Sequence, residues 1–126
     1  MGEGRTDAGT RVDGFLAAMA ARDLDAAQAM LAPGFTMRFP GTGPMTALAE
    51  LVAWAADRYR SVAKTVDAVE RVPGDPEVIW MRGRLHGVWP DGSAFEGVRF
   101  VDRFEVSGGL ILRQDVWNDL AEARPR

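Results

Sequence analysis

The stretch Glu96-Gly-Val-Arg-Phe-Val-Asp-Arg-Phe-Glu-Val106 decides the fold, because its apolar and polar residues alternate as in a β-strand with one buried face. The residues with even numbers form that face, and four of the five are apolar. The fifth is Asp102, and burying a lone carboxylate costs several kcal/mol unless it is paired, hydrogen-bonded or protonated. Asp102 is therefore predicted either to have a partner or to line a cavity, which is how active sites are built.

Further strands are predicted on both sides of this stretch. Alternation predicts strands at 66–72, 78–89 and 110–118, and turns at 73–76, 90–93 and 107–109 join them into an antiparallel meander. Upstream, helical spacing predicts helices at about 10–21, 23–31 and 48–59, with a short strand at 35–39. This order predicts an α+β fold in which a cone-shaped, curved, antiparallel (mixed) sheet wraps around three N-terminal helices. Such a cone commonly leaves a pocket between helices and sheet.

Composition narrows the class of protein. The chain has 126 residues, enough for one domain, which we place at 10–122 between a flexible N-terminal tail at 1–9 and a C-terminal tail at 123–126. A net charge of −3 argues against nucleic-acid binding. The single histidine and the lack of cysteine argue against a metal site or a disulfide. No apolar run approaches the roughly 18–20 residues of a membrane span, and the N-terminus has no signal-peptide pattern, so a cytoplasmic location is expected.

Three segments resemble the nuclear transport factor 2-like superfamily, which includes ketosteroid isomerases, limonene epoxide hydrolases and SnoaL-type polyketide cyclases. They are FLAAMAARDLD at 15–25, VDRFEV at 101–106 and LILRQDVWNDL at 110–120. The resemblance covers nearly the whole chain and implies the cone fold. The superfamily contains cofactor-free enzymes, transport factors and plain binding domains, so the fold alone does not name the activity.

The superfamily's catalytic groups carry over to this chain only in part. Asp102 matches the ketosteroid isomerase acid that donates a hydrogen bond to the developing oxyanion. The partner tyrosine would fall at Phe15 and the aspartate base at Phe39, and neither phenylalanine can move a proton. The last-strand base of SnoaL-type cyclases would fall at Asp115 or Val116, depending on a one-residue register choice that also changes the face of the sheet. The resemblance favours Val116, in which case this base is lost too.

The sequence does not decide which face of the long strand at 78–89 points into the pocket. If the superfamily's strand faces carry over, the pocket side holds Trp80, Arg82, Arg84, His86 and Val88, with Gln114, Val116 and Asn118 on the last strand. Helix residues Trp54 and Tyr59 could close the cavity. The odd-numbered residues Ile79, Met81, Leu85 and Trp89 are more apolar, however, and their pattern favours the opposite orientation, with the arginines in water.

Two main functional hypotheses follow. The first is a cofactor-free isomerase, cyclase or lyase that transfers protons on a small hydrophobic carbonyl or polyketide-like compound, with Asp102 as acid or hydrogen-bond donor and His86 as base. Its predicted substrate-binding residues are Phe15, Phe39, Trp54, Tyr59, Trp80, Arg84, Phe100, Gln114, Val116 and Asn118. The alternative is a non-catalytic domain that binds an apolar acid or a peptide, and a third possibility is a purely structural dimer.

The sequence also allows a structural role for Asp102 and suggests two binding partners. Asp102 could also be a structural ion pair with a cross-strand arginine such as Arg84. The expected partners are a small hydrophobic or acidic organic ligand and a second copy of the chain. The resemblance and the apolar odd-numbered strand residues place that second copy on the convex face of the sheet.

Overall fold

One five-stranded mixed sheet forms the framework of the protein, and the computed structural model describes residues 7–125. The strand order is β1-β5-β4-β3-β2, in which β1 runs parallel to β5 and the other pairs are antiparallel. The elements are α1 (Asp7–Ala20), α2 (Leu24–Gln28), β1 (Leu31–Arg38), α3 (Leu48–Ala56), β2 (Ser61–Val72), β3 (Glu77–Val88), β4 (Ala94–Ser107), β5 (Leu110–Asn118) and α4 (Leu120–Ala123). The predicted α+β architecture, with a curved sheet and three helices before the meander, is confirmed.

Several element boundaries differ from the predicted ones. Helix α1 begins at Asp7, so residues 7–9 of the predicted tail are helical, while residues 1–6 lie outside the described residues. Strand β2 begins at Ser61, five residues before the predicted start, because the whole segment pairs with β3. Strand β1 begins at Leu31, where it pairs with Ile111, and a register shift follows before Thr36. At the C-terminus, residues 120–123 form the short helix α4.

Two glycines in β3 allow the sheet to bend. A Cβ atom at Gly83 would lie 2.0 Å from the carbonyl oxygen of Thr65, and one at Gly87 would lie 2.1 Å from that of Ser61. No side chain fits at that distance, so the close approach of β2 to β3 requires glycine at both positions. The pairing register of β2 and β3 also shifts between Val66 and Ala68. The curved sheet leaves a hollow on the side that the helices cover.

The predicted inner face of β4 is confirmed. Its five alternating residues, Val98, Phe100, Asp102, Phe104 and Val106, are all buried. Helix α1 packs against this face, and the rings of Phe15 and Phe104 meet edge to face with centroids 6.4 Å apart. Each large apolar side chain buried in this way contributes roughly 1.5–3 kcal/mol. The core therefore fixes the direction in which Asp102 points.

Strand β3 turns its odd-numbered residues inward. Its buried side chains are those of Ile79, Met81 and Leu85, and Met81 lies directly opposite Asp102. The orientation that placed Trp80, Arg84 and His86 in the pocket is wrong, because these residues lie on the other face of the sheet. The physical reason is that burial stabilises the apolar set, whereas burying arginines would leave their charges without water.

Candidate functional site

A cavity of about 600 Å³ opens between α1, α3 and β2. Its walls are largely apolar, and they include Phe15, Leu16, Met19, Phe39, Leu51 and Val62. Apart from Asp13 and Ser61, the polar side chains that line it fall into two sets. Lys64 and Gln114 lie where it reaches the sheet, and Tyr59 lies near the exposed residues Arg22 and Arg60 at its open end. An apolar cavity with a few convergent polar groups is the usual form of a small-molecule site.

Lys64 and Asp102 form an ion pair beside the buried lining residues Phe15, Met81 and Gln114, which make up the closed end of the cavity. The Nζ atom of Lys64 donates a hydrogen bond to Oδ2 of Asp102 over 2.6 Å. The Asp102 side chain is fully buried, whereas the Lys64 side chain is 27% exposed. The carboxylate therefore lies behind the cavity wall and its ammonium partner lies in that wall. The sequence predicted that Asp102 either has a partner or lines a cavity, and the structure shows a partner. That partner is Lys64 and not Arg84.

The route of the Lys64 side chain crosses strand β3. In the sheet, Lys64 lies opposite Leu85 of β3, and Asp102 lies opposite Met81 of the same strand. Gly83 lies between Met81 and Leu85 on the inner face of β3 and has no side chain there. The lysine stem can therefore pass to β4, where its ammonium lies 5.2 Å from the centre of the Phe100 ring. A cation over an aromatic face gains additional electrostatic stabilisation.

Two acceptor oxygens at this ion pair have no hydrogen-bond partner within residues 7–125. They are Oδ1 of Asp102 and Oε1 of Gln114, and both are buried. The two residues share the inner face on adjacent strands, since Gln114 pairs with Phe104, two residues from Asp102. A buried acceptor without a donor costs about 1–3 kcal/mol. Because Gln114 lines the cavity and Asp102 lies behind its wall, only the Gln114 oxygen of these two can accept a hydrogen bond from a bound molecule.

Tyr59 provides a neutral hydroxyl near the open end of the cavity. Burial raises the pKa of Tyr59 above its ordinary value, and the neighbouring Arg22 guanidinium offsets part of that rise. The hydroxyl therefore keeps its proton at neutral pH and acts as a hydrogen-bond donor. Arg60, the next residue, is held at its outer end by a hydrogen bond of 3.0 Å from Nη2 to the carbonyl oxygen of Pro90.

The structure brings together part of the predicted set of site residues. Phe15, Phe39, Tyr59 and Gln114 line the cavity. Behind the wall lie Asp102, its neighbour Phe100 and its pairing partner Val116, all buried. The open register question at the last strand is answered, because Val116 and not Asp115 shares the face of Asp102.

The remaining predicted site residues lie elsewhere. Trp54 packs behind Phe39, with ring centroids 5.3 Å apart, and does not line the cavity. Asn118 lies near the end of β5, where its Oδ1 accepts a hydrogen bond from the backbone of Leu120. The outer face of the sheet carries Trp80, Arg84 and His86. Among these, Trp80 stacks on Trp117 and Arg84 pairs with Asp67 over 3.0 Å. The sheet thus separates His86 from Asp102.

Lys64 and Arg22 are the two functional candidates that the sequence analysis missed. Lys64 was overlooked because β2 was predicted to begin at residue 66. Extending the alternation upstream would have placed Val62, Lys64 and Val66 on one face, with a single cation among apolar residues. Arg22 follows a helix and carries no periodic signal, so only the packing of α1 beside α3 and β2 reveals that it lines the cavity.

Comparisons with known proteins agree on the fold. The sequence model of the SnoaL-like domain matches residues 12–114. An NTF2-like protein from Burkholderia pseudomallei superposes with a TM-score of 0.79 at 19% identity, over 94% of this chain and 95% of the other. A protein from Jannaschia sp. CCS1 assigned as a SnoaL-like polyketide cyclase gives 0.68 at 22% identity, over 90% and 88%. An LEH-like epoxide hydrolase from M. tuberculosis gives 0.68 at 17%, over 91% and 84%. No curated protein sequence matches this chain.

Residues 7–125 contain neither a membrane-spanning helix nor a cluster of metal-ligating side chains. No described helix is both long enough and apolar enough to cross a membrane. Within the same residues, no three histidine, aspartate or glutamate side chains lie close enough together to hold a metal ion.

Proposed function

The chain belongs to the SnoaL-like domain family, and we propose that it is an isomerase, cyclase or lyase that acts by proton transfer on a small hydrophobic carbonyl compound. Its fold is of the small-molecule isomerase and cyclase type found among NTF2-like proteins. The observation that carries the proposal is the Lys64–Asp102 ion pair at the closed end of an apolar cavity. A fixed cation in such a place is suited to stabilise a developing enolate.

Lys64 takes the role of hydrogen-bond donor to the substrate oxygen. Its ammonium group lies in the cavity wall and has three N–H donors, of which Asp102 uses one. A carbonyl oxygen placed against the remaining donors gains negative charge as the α-proton leaves, so the attraction is stronger in the transition state than in the ground state. Donors that meet a developing oxyanion in this way contribute roughly 3–4 kcal/mol each.

Asp102 acts on the substrate through Lys64. Its carboxylate is behind the wall and cannot touch a bound molecule directly, but it holds the ammonium group in place. The α-proton leaves to water in the cavity, and a proton from the same water returns to the enolate at another carbon, because the side chains at the closed end are an amide, an ammonium group and hydrocarbons. Carbonyl compounds with acidic α-hydrogens, such as polyketide-like 1,3-dicarbonyls, fit this chemistry best.

A non-catalytic binding domain is the second candidate function. It is favoured by Phe15 and Phe39, which occupy the cavity wall where catalytic residues of the superfamily would stand and only add apolar surface. It is also favoured by the position of His86 on the outer face, which removes the imidazole from the chemistry. In this case Lys64 and Gln114 would orient a bound apolar acid without turnover.

One exchange experiment separates these two candidates. 2-Tetralone, an apolar bicyclic ketone, is incubated with the protein in D2O, and loss of its α-hydrogen signals is followed by NMR. We expect wild-type protein to accelerate the exchange about 10²-fold or more over buffer, and Lys64→Met to remove the acceleration. Lys64→Arg keeps the charge and should retain part of it. If 2-tetralone binds but exchanges at the buffer rate, the catalytic function is refuted and the binding domain stands.

We also propose a homodimer that forms through the outer face of the sheet. Trp117 is 52% exposed there and stacks on Trp80, with ring centroids 6.3 Å apart. Arg84 and Asp67 lie on the same face. This face therefore carries a positive and a negative side chain, which can pair with their counterparts in a second copy related by a two-fold axis. Sedimentation of wild-type protein should give a dimer and that of Trp117→Glu a monomer. A monomeric wild-type protein would contradict the proposal.

A further inference from the structure

Helix α1 ends in a Schellman turn that contains an arginine at the position where glycine is usual. The backbone N–H of Asp23 donates to the carbonyl of Ala18 over 2.9 Å, and that of Arg22 donates to Met19 over 3.1 Å. These two bonds define the turn, and its left-handed residue is Arg22, with a φ of 58°. Glycine or asparagine adopts this conformation at lower cost than arginine. Residues held in unfavourable backbone conformations cluster at active sites and ligand-binding positions.

The side chain of Arg22 lies at the open end of the cavity and contacts two groups. Its Nη1 donates a hydrogen bond of 2.7 Å to the carbonyl oxygen of Met19, at the C-terminus of α1. Its guanidinium also lies beside the hydroxyl of Tyr59, whose pKa it lowers against the effect of burial. A guanidinium has five N–H donors in a fixed plane, so donors remain after these two contacts. The arginine is thus oriented before any ligand arrives.

The charges that line the cavity favour an anionic ligand. Among the described residues, three cationic ones, Arg22, Arg60 and Lys64, line it, against the carboxylate of Asp13 in the wall and that of Asp102 behind it, which pairs with Lys64. The chain as a whole has a net charge of −3, so this excess of positive charge is local. Lys64 lies at the closed end beside Asp102, and Arg22 lies at the exposed end. The two cations therefore meet different parts of a bound molecule.

We propose that Arg22 and Tyr59 form a carboxylate-binding subsite at the open end, so that the ligand is an apolar molecule with a carboxylate at the end opposite the group that Lys64 contacts. Arginine binds a carboxylate through two parallel N–H···O bonds, and the neutral Tyr59 hydroxyl donates a third. The inference deepens the proposed function, because it names the substrate class of the same cavity, namely carbonyl compounds that carry a carboxylate tail. The carboxylate subsite does not depend on the proposed function. Only the chemical nature of the ligand group that contacts Lys64 rests on it.

A pair of unreactive probes tests the subsite apart from catalysis. The probes are 6-methoxynaphthalene-2-carboxylate and its methyl ester, which differ only in the single carboxylate. Their affinities are measured by fluorescence titration for wild-type protein, Arg22→Gly and Arg22→Lys. A matched control is Arg11→Gln, which removes one positive charge from α1 at an exposed residue that does not line the cavity. Melting temperatures are measured for every variant.

The expected results follow from the geometry. Wild-type protein should bind the acid about tenfold more tightly than the ester, which is the typical worth of a charge-assisted hydrogen bond. Arg22→Gly should abolish this preference while its melting temperature stays at or above that of wild type, because glycine suits the left-handed turn. Arg22→Lys should keep part of the preference, and Arg11→Gln should keep all of it.

Three results would overturn the subsite. They are a preference that survives in Arg22→Gly, a preference lost to the same extent in Arg11→Gln, and the absence of binding of either probe to wild-type protein. The outcome is independent of turnover, since neither probe reacts. If the tenfold preference depends on Arg22 but 2-tetralone is not exchanged, the subsite stands and only the catalytic proposal fails.

Discussion

The Nζ atom of Lys64 lies 2.6 Å from Oδ2 of Asp102, although a whole strand separates the two residues in the sheet. Lys64 comes from β2 and Asp102 from β4, and the lysine crosses β3 on its inner face. The pair links the edge strand of the sheet to the centre of the core. It also sets a positive charge into the wall of an otherwise apolar cavity.

Removing the lysine should destabilise the protein strongly. In Lys64→Met the fully buried carboxylate of Asp102 loses its partner, and we expect the free energy of unfolding to fall by about 3–5 kcal/mol in urea titrations. The double variant Lys64→Met/Asp102→Leu should recover most of that loss, because no charge then stays buried. The matched control is Arg71→Met, which breaks a surface pair with Glu77 and should cost much less. Equal losses for Lys64→Met and Arg71→Met would contradict this account.

Tyr59 should titrate late, and the chain suits the measurement because it contains one tyrosine. Burial raises the pKa of Tyr59 above 10.0, so tyrosinate absorbance should appear at higher pH in folded than in unfolded protein. Replacing Arg22 by glycine should raise the pKa further, because the guanidinium lowers it. A tyrosinate transition at or below the ordinary value would show that the hydroxyl is solvated.

The same shift makes stability depend on pH in one direction. The folded state holds the Tyr59 proton more tightly than the unfolded state, so the contribution is complete below the unfolded pKa of 10.0 and is lost as the pH rises through the folded pKa. We expect the stability difference between wild type and Tyr59→Phe to change in disfavour of wild type between about pH 9 and pH 11. A difference that stays constant over this range would count against a raised pKa.

Gly83→Ala should damage the sheet at the place where the lysine crosses it. The new Cβ would lie 2.0 Å from the carbonyl oxygen of Thr65, so β2 must move away from β3. We expect a loss of about 1–3 kcal/mol or more in the free energy of unfolding, as in overpacked cores. Gly43→Ala is the control, because a Cβ there meets nothing within 4 Å and should leave stability nearly unchanged. A harmless Gly83→Ala would mean that the two strands can separate at little cost.

His86 should be dispensable. It lies on the outer face of the sheet, away from Asp102 and the cavity. His86→Ala should therefore leave the exchange of 2-tetralone at the wild-type rate and change the free energy of unfolding by less than about 0.5 kcal/mol. Measuring both quantities matters, because a drop in exchange at unchanged stability would return the imidazole to the mechanism.

Local alternation was enough to predict the buried face of β4 but not that of β3. The alternation of β4 identified its buried face and singled out Asp102, because a two-residue period maps directly onto the two faces of a sheet. The same rule applied to β3 left two orientations open, since Arg84 and His86 alternate as regularly as Met81 and Leu85. Only the pairing of Met81 with Asp102 decides between them.

By itself the sequence determined the α+β fold and the burial of one carboxyl group, because strand alternation and helix spacing are local properties of the chain. Tertiary structure alone decided that Lys64 is the partner of Asp102 and that Arg22 reaches the cavity. Both contacts join residues that are far apart in the sequence or lie in a turn without periodicity. They depend on strand register, on the bend at Gly83 and on how α1 packs, which no short stretch of sequence encodes.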